Sequence, residues 1–144
     1  METNSLLRPN CLLLYKQRPA RLLSAGDRLE IELEGGETAR VRPKDVELLH
    51  PGPVLSLSDL KPQEGDILTA WEILAGQETS LAELAELAYG AFTPAAAWAA
   101  WQYAADGLYF TGTPGRLFAQ PADAVRRIEQ ERRQAVEDLR AWEA

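Results

Sequence analysis

The sequence TPAAAWAAWQYAADGLYF, from Thr93 to Phe110, carries the strongest fold signal in the chain. Thr93 followed by Pro94 is typical of a helix N-cap and first helical residue, and Gly107 is typical of a helix end. The helix runs directly into an apolar strand, as the second helix of a helix-turn-helix does before a β-wing. A nucleic-acid reader normally carries Arg and Lys here, yet the stretch has no basic residue.

The neighbouring segments complete a helical unit. Residues 66–75 have a helical apolar stripe that stops at a glycine, and the sequence SLAE at 80–83 is a capping box that opens a second helix ending at Gly90. After the third helix, 108–119 predicts a β-hairpin around Thr, Gly and Pro. Three helices followed by a hairpin predict a winged helix over 65–120.

The first 50 residues have a different pattern. Short apolar runs separated by turn residues predict four or five strands, and strands of this length and spacing make a small SH3-like barrel over residues 1–50. The Pro-, Gly- and Ser-rich segment 51–64 predicts an interdomain linker. The expected fold class is therefore α+β, with the barrel, the winged helix and a C-terminal helix over 121–144.

One hairpin of the predicted barrel allows its register to be inferred. Val41 reaches the apolar face of the preceding strand if it pairs with Ile31, with Gly35-Gly36-Glu37 as the loop. This register places acids opposite bases, Glu32 with Arg40 and Glu30 with Arg42. We therefore interpret Arg40 and Arg42 as cross-strand partners of carboxylates rather than as phosphate ligands.

Charge is distributed unevenly along the chain. Its 15 Lys and Arg and 22 Asp and Glu give a net charge of −7, and residues 51–120 hold two basic and eight acidic residues. Because cations supply most sequence-independent affinity for nucleic acid, this middle part alone should be repelled by DNA or RNA. Lys16, Arg18 and Arg21, which have no acid nearer than Asp27, are the candidates for polyanion contact. A solvated basic turn is the alternative.

The third helix has two faces. Trp98, Trp101 and Ala105 share one stripe, which we interpret as core rather than as a base-stacking platform. The opposite face carries Ala96, Ala99, Gln102, Tyr103 and Asp106. With no cation to anchor a phosphate backbone, this face suits packing against protein, and Gln102 and Tyr103 are the candidate partner-binding residues. Arg116, in the hairpin, is the one basic residue there that favours nucleic acid.

Catalytic and metal chemistry find little support in the sequence. The single cysteine, Cys11, and the single histidine, His50, rule out a Cys/His zinc site within the chain, and both are interpreted as structural. No two aspartates lie within six residues of each other, and no glycine-rich phosphate loop precedes a helix. We find no secretory signal and no apolar stretch long enough to span a membrane, so the cytoplasm is the expected location.

The last segment, PADAVRRIEQERRQAVEDLRAWEA, predicts one helix from Pro121. Its apolar seam has alternating spacings of three and four and is interrupted by Arg132; the members are Val125, Ile128, Arg132, Ala135, Leu139 and Trp142. Glu129 with Arg133 supports the exposed side. Without a terminating Gly or Pro, the helix is expected to lead into a downstream domain. A natural end that frays is the alternative.

The runs AWEILAG and TSLAELAELAYGAFTPAAAWAAWQYAADGLYF, preceded by RPKDVELLHPGP, resemble the N-terminal region of RNB-family (ribonuclease II-like) exoribonucleases. The resemblance is to the subgroup that begins with an SH3-like barrel and a winged helix, and it extends over nearly the whole chain. It implies processive degradation of RNA from its 3′ end, with magnesium held by clustered aspartates in a central domain. That domain is not in this sequence, which has no active site of its own.

Two functions from different classes remain open. In the first, the chain is a non-catalytic N-terminal region of such an exoribonuclease, guiding single-stranded RNA weakly and bracing the catalytic body. In the second, it is a protein-interaction adaptor whose winged helix docks another RNA-processing protein or a second copy of itself. A DNA-binding regulator ranks below both because of the acidic middle part.

Overall fold

Residues 8–143 are described by a computed structural model, and they form an α+β fold with two antiparallel sheets and four α-helices. The larger sheet has the strand order β4-β3-β2-β1-β5. Its strands are β1 (Leu12–Tyr15), β2 (Arg18–Ala25), β3 (Leu29–Leu33), β4 (Thr38–Val41) and β5 (Val46–His50). The strands predicted from apolar runs are therefore present, each within about two residues of its expected bounds.

Strand β1 is apolar along its length because both faces of the sheet are covered there. Leu12 and Leu14 belong to a large core shared with the helices, whereas Cys11 and Leu13 point into a second core formed by β2, β3, β4 and β5. A strand buried on both faces has a continuous apolar run instead of an alternation. The run LLL at 12–14 is thus the junction between the two cores.

The predicted register of the β3–β4 hairpin is wrong by two residues. Val41 pairs with Leu29, and Glu30 rather than Glu32 lies opposite Arg40. The loop has three residues, as expected, but it lies one position earlier, because a 3-10 turn over Glu34–Gly36 is closed by a hydrogen bond from the Leu33 amide to the Glu37 carbonyl at 2.6 Å. A shift of two residues keeps Val41 on the core face, so its side was predicted correctly although its partner was not.

Three helices follow, α1 (Ile67–Leu74), α2 (Leu81–Tyr89) and α3 (Pro94–Asp106). The predicted caps at Ser80 and Thr93 are confirmed, and Asp66, which was not predicted as a cap, acts in the same way: each accepts a hydrogen bond from a backbone amide of the first turn. Gly90 and Gly107 end α2 and α3 in the left-handed conformation that favours glycine. Hydrogen bonds from the Thr69 hydroxyl and amide hold the pKa of Asp66 below its usual range.

The SLAE capping box forms only in part. The Glu83 amide donates to the Ser80 hydroxyl at 3.2 Å, as expected. The Glu83 carboxylate, however, accepts a hydrogen bond from the Thr79 hydroxyl. Thr79 lies in β6 (Glu78–Thr79), a two-residue strand that was not predicted.

Strand β6 extends the predicted hairpin into a three-stranded sheet. The hairpin consists of β7 (Phe110–Thr113) and β8 (Arg116–Ala119), and the strand order is β6-β8-β7. Thr79 pairs with Leu117, so the chain between α1 and α2 is held against the hairpin. Two residues are too few for a periodic signal, which is why the sequence did not reveal β6.

The segment 51–64, expected to be a linker, is packed against the body. Val54 is buried, and its amide donates to the Asn10 carbonyl at 2.7 Å. Leu57 and Leu60, in and beside a short 3-10 turn, pack on the large core. Over the residues described, the segments 1–50 and 65–120 that we predicted as separate domains therefore share the large core through Leu12, Leu14 and Leu49, while the sheet keeps a second core of its own.

The apolar packing of the last helix, α4 (Ala122–Glu143), is limited to its first turns. Ala124 and Val125 are buried and Ile128 is half-buried, whereas residues 129–142 are exposed. Over residues 8–143, no helix combines the length and the apolar composition needed to cross a membrane.

Candidate nucleic-acid and partner interfaces

The basic turn between β1 and β2 is tight and exposed. Tyr15 pairs with Arg18, which leaves Lys16 and Gln17 as a two-residue loop with φ values of 49° and 65°. The Lys16 ammonium lies 5.3 Å from the centre of the Tyr15 ring. Arg18 approaches the Glu37 carboxylate at 3.7 Å, and both side chains are largely exposed. An exposed pair at this distance contributes little, so Lys16 and Arg18 can both reach a phosphate.

Arg21 is not the free cation that its sequence neighbours suggested. Its Nε lies 3.2 Å from a Glu32 carboxylate oxygen, and its Nη1 donates to the Asn10 side-chain oxygen at 2.6 Å. The Arg21 side chain is only 18% exposed. The shifted register explains the pairing, since Glu32 lies opposite Thr38 on one side and Arg21 on the other. The Arg21 guanidinium therefore stabilises the sheet.

Arg42 also has a different partner from the one predicted. Instead of facing Glu30 across the hairpin, it follows β4 and its Nε lies 3.2 Å from the Asp45 carboxylate. The Arg42 side-chain hydrogen bond holds the pKa of Asp45 below its usual range. Arg40 lies opposite Glu30 instead of the predicted Glu32. Arg40 therefore still faces an acid across the hairpin, as predicted, but a different one.

Arg116 stands at the start of β8, beside the turn Pro114–Gly115. Its Nη2 lies 3.0 Å from the Glu78 carboxylate across the β6–β8 pair. The two side chains are 79% and 64% exposed, so water screens the pair on most sides. Arg116 is consequently accessible, although Glu78 lies close enough to offset part of its charge.

Helix α3 turns its small residues inward. The buried positions are Ala96, Ala97, Ala100, Trp101 and Ala104. Trp101 is core as predicted, and Trp98 packs half-buried at the edge of the same core. Two assignments are wrong, because Ala96 is buried and Ala105 is exposed. Small side chains allow α3 to pack closely against its neighbours. The buried face of α3 is therefore centred on alanines and is rotated from the predicted face, which was centred on Trp98 and Trp101.

The exposed face of α3 includes the predicted residues Gln102 and Tyr103. Together with Asp106 and Tyr109 they line an open depression of about 430 Å³. Tyr103 is 46% exposed, and Tyr109 is half-buried against Trp71, with ring centres 5.1 Å apart. The depression thus offers aromatic surface and one carboxylate, and its lining contains no cation.

Arg132 of α4 joins this face, which the sequence did not reveal. Its Nη1 donates to the Asp106 carboxylate at 2.9 Å and its Nη2 to the Asp106 carbonyl at 2.7 Å. The guanidinium thereby occupies the carbonyl end of α3, where a positive charge is favourable. What looked like an interruption of the α4 seam is the contact that holds α4 beside the Gln102–Tyr103 face.

Cys11, the potential nucleophile, and His50, the potential base, both have structural roles. The His50 Nδ1 accepts from the Gly52 amide at 2.8 Å, which leaves Nε2 protonated to donate to the Phe92 carbonyl at 3.0 Å. Burial raises the pKa of the Cys11 thiol to about 11. Among the residues described, no three His, Cys, Asp or Glu side chains converge as a metal site. We derive no catalytic step from these groups.

No protein family, curated protein or solved structure matches the chain in comparisons with known proteins.

Proposed function

We propose that the chain is a non-catalytic accessory module of an RNB-family 3′-5′ exoribonuclease, built as an SH3-like barrel followed by a winged helix. Five short antiparallel strands are typical of small barrels. The element order α1-β6-α2-α3-β7-β8, with β6 beside β8, supports the winged helix of this proposal, since three helices followed by a hairpin are typical of that fold. In this proposal the magnesium belongs to the enzyme's catalytic domain and not to this chain.

The observation that carries the proposal is the composition of the exposed α3 face. In a winged helix that reads DNA, this helix presents cations and amides to the groove. Here residues 94–106 contain no Lys or Arg, and Asp106 is held by Arg132. We therefore propose that Gln102 and Tyr103 contact protein, which in the leading interpretation is the catalytic body.

The RNA contact in this proposal is weak and lies on two surfaces. Lys16 and Arg18 on the β1–β2 turn form the first, and Arg116 on the hairpin forms the second. Lys16 adopts a backbone conformation that costs energy for any residue but glycine, and strained backbone is common at functional sites. Arg21 is left out because its guanidinium already binds Glu32 and Asn10.

Fluorescence anisotropy of labelled single-stranded RNA tests the proposal. Binding should be weak, with a log-log salt slope of roughly −0.7 per phosphate neutralised, and the Lys16→Gln/Arg18→Gln variant should lose most of it. The Gln102→Ala/Tyr103→Ala variant should bind RNA like the wild type. Loss of RNA binding in that second variant alone would mean that α3 reads nucleic acid and would overturn the proposal.

The adaptor interpretation remains the second candidate, because the α3 face suits protein whether or not the barrel contacts RNA. The same titration separates the two. Wild-type protein without salt-dependent RNA binding would favour the adaptor, whereas binding that depends on Lys16 and Arg18 favours the exoribonuclease module.

A further inference from the structure

The outer part of α4 exposes apolar side chains in a regular stripe. Leu139 is 57% exposed and Trp142 is 84% exposed, and Ala135 lies one turn before Leu139. These three residues, which we call the outer stripe, have the spacing i, i+4, i+7 that places side chains on one helix face. Trp142 and Leu139 together leave a contiguous apolar area in water, and contiguous apolar patches mark interaction sites.

The outer stripe continues the face by which α4 packs on the body. Val125 and Ile128, about three and two turns before Ala135 on the same face, are buried and half-buried, and Arg132 binds Asp106. Residues 133–142 then extend without burying any side chain in the described part of the chain. These outer turns continue a helix that is already nucleated by its packed first turns, so only their exposed apolar face is left without a contact within residues 8–143. The segment is thus held at its start by the body and still lacks a cover for its outer turns.

The charges beside the outer stripe disfavour a second copy of the chain as that cover. Glu131 and Asp138 follow one border of the stripe, and Glu129 lies on the other side. In a coiled coil these are the positions that face their counterparts across the seam. Two antiparallel copies would place Glu131 against Asp138, and in either orientation two chains with a net charge of −7 would repel each other.

Nucleic acid and anionic lipid are unsuitable covers for the same reason. Residues 51–120 carry two basic and eight acidic residues, so the body beside α4 is acidic, whereas residues 121–144 are close to neutral with five Arg and six Asp or Glu. Phosphate groups would be repelled by the body and by the Glu131 and Asp138 border of the outer stripe. A protein helix with an apolar face and basic borders would cover the exposed apolar side chains and complement the charges of Glu131 and Asp138.

We propose that the outer stripe docks an amphipathic helix of another protein, whose apolar face is bordered by Lys or Arg. Leu139 and Trp142 supply the apolar anchors, and Glu131 and Asp138 select the basic borders. The proposal rests on α4 and stands whether or not the chain contacts RNA.

Two labelled synthetic peptides of about three heptads test this proposal. Both have Leu at the seam positions, and the bordering positions are Lys in one and Glu in the other. Anisotropy titrations should show at least about tenfold tighter binding of the Lys peptide, and Trp142→Ala should weaken it by about tenfold, as loss of a tryptophan anchor does. A third peptide with Lys borders and Gln in the seam should fail to bind.

Charge reversal supplies the matched control. Asp138→Lys should weaken binding of the Lys peptide and strengthen binding of the Glu peptide. Glu137→Lys, the same charge change at the adjacent residue on the opposite side of the helix, should leave the preference intact. Because these side chains are exposed, all variants should keep wild-type circular dichroism.

Three results would overturn the proposal. One is equal binding of the Lys and Glu peptides; another is wild-type affinity in Trp142→Ala. The third is a dimer, seen by sedimentation of the free protein, that Trp142→Ala dissolves, because the occupant would then be a second copy. None of these readouts involves RNA, so they fail or succeed separately from the anisotropy test with RNA.

Discussion

At the scale of single residues, the environment of each arginine decides what it can do. Arg21 and Arg116 are the same side chain at 18% and 79% exposure. Arg21 binds two groups inside the sheet edge, and Arg116 makes one exposed pair that water screens. Position along the chain did not distinguish them, since neither has an acid beside it in sequence.

Substitution by Gln should separate the two roles. Arg21→Gln leaves Glu32 and Asn10 without their half-buried donor, so we expect the free energy of unfolding to fall by about 1–3 kcal/mol. Arg116→Gln should change it by no more than about 0.5 kcal/mol. Urea unfolding monitored by circular dichroism measures both. Equal costs would contradict the assignment of Arg21 to the sheet.

Cys11 provides a prediction on pH. Its pKa is raised from 9.0 to about 11 by burial, so the native state keeps its proton while the unfolded state loses it. The contribution to stability is complete below pH 9.0 and is lost as the pH rises toward about 11. We expect Cys11→Ser to show a smaller alkaline loss of stability than the wild type over that interval. The native thiol should also react with a disulfide reagent at pH 8 far more slowly than the urea-unfolded chain.

At the scale of elements, turns and caps follow local chemistry with one exception. The β1–β2 loop is a two-residue turn with both residues at positive φ, where Asn-Gly is preferred, but the sequence has Lys16-Gln17. The backbone therefore carries a local cost at the position of the proposed RNA contact.

Replacing Lys16-Gln17 with Asn-Gly should stabilise the protein by about 1 kcal/mol, because the left-handed conformation costs these residues least. The same variant should bind RNA more weakly, since Lys16 is gone. Thermal unfolding and RNA anisotropy on one sample give both results. A variant that is stabilised but binds RNA normally would remove Lys16 from the proposed site.

The α2 cap gives a second prediction at this scale. Ser80→Ala removes the acceptor for the Glu83 amide and should cost roughly 0.5–2 kcal/mol. Affinity for RNA should stay unchanged. A folded Ser80→Ala protein that had lost RNA binding would assign the start of α2 to a binding surface instead of a cap.

At the scale of the whole molecule, the sheet and the helices share a core through β1. Leu12→Ala opens a cavity in that shared core, so we expect a loss of about 2–5 kcal/mol with circular dichroism and tryptophan fluorescence changing in one transition. Leu13→Ala, the same change one residue later on the opposite face, should destabilise the second core by a similar amount. If Leu12→Ala left the fluorescence transition of the helices unchanged, the two units would be independent.

Much of the fold could be predicted because its signals are local. The caps at Ser80 and Thr93 act within three residues, and the left-handed glycines at Gly90 and Gly107 end their helices without help from elsewhere. The positions of the strands and of the exposed residues Gln102 and Tyr103 likewise follow from spacing along one element.

The candidate site could be predicted only in part, since its electrostatics depend on contacts between distant segments. Arg21 meets Glu32 across 11 residues, Arg132 meets Asp106 across 26, and His50 meets Phe92 across 42. These pairings depend on hairpin register and helix packing, which spacing along one element does not define. The amino-acid sequence by itself determined where the described helices and every described strand except β6 begin and, apart from the rotated face of α3, which side of them is apolar, because those properties arise within a few residues. Only the tertiary structure decided which arginines are paired, that 51–64 is packed, and that the outer turns of α4 stand uncovered, because each of these results from segments that meet after the chain has folded.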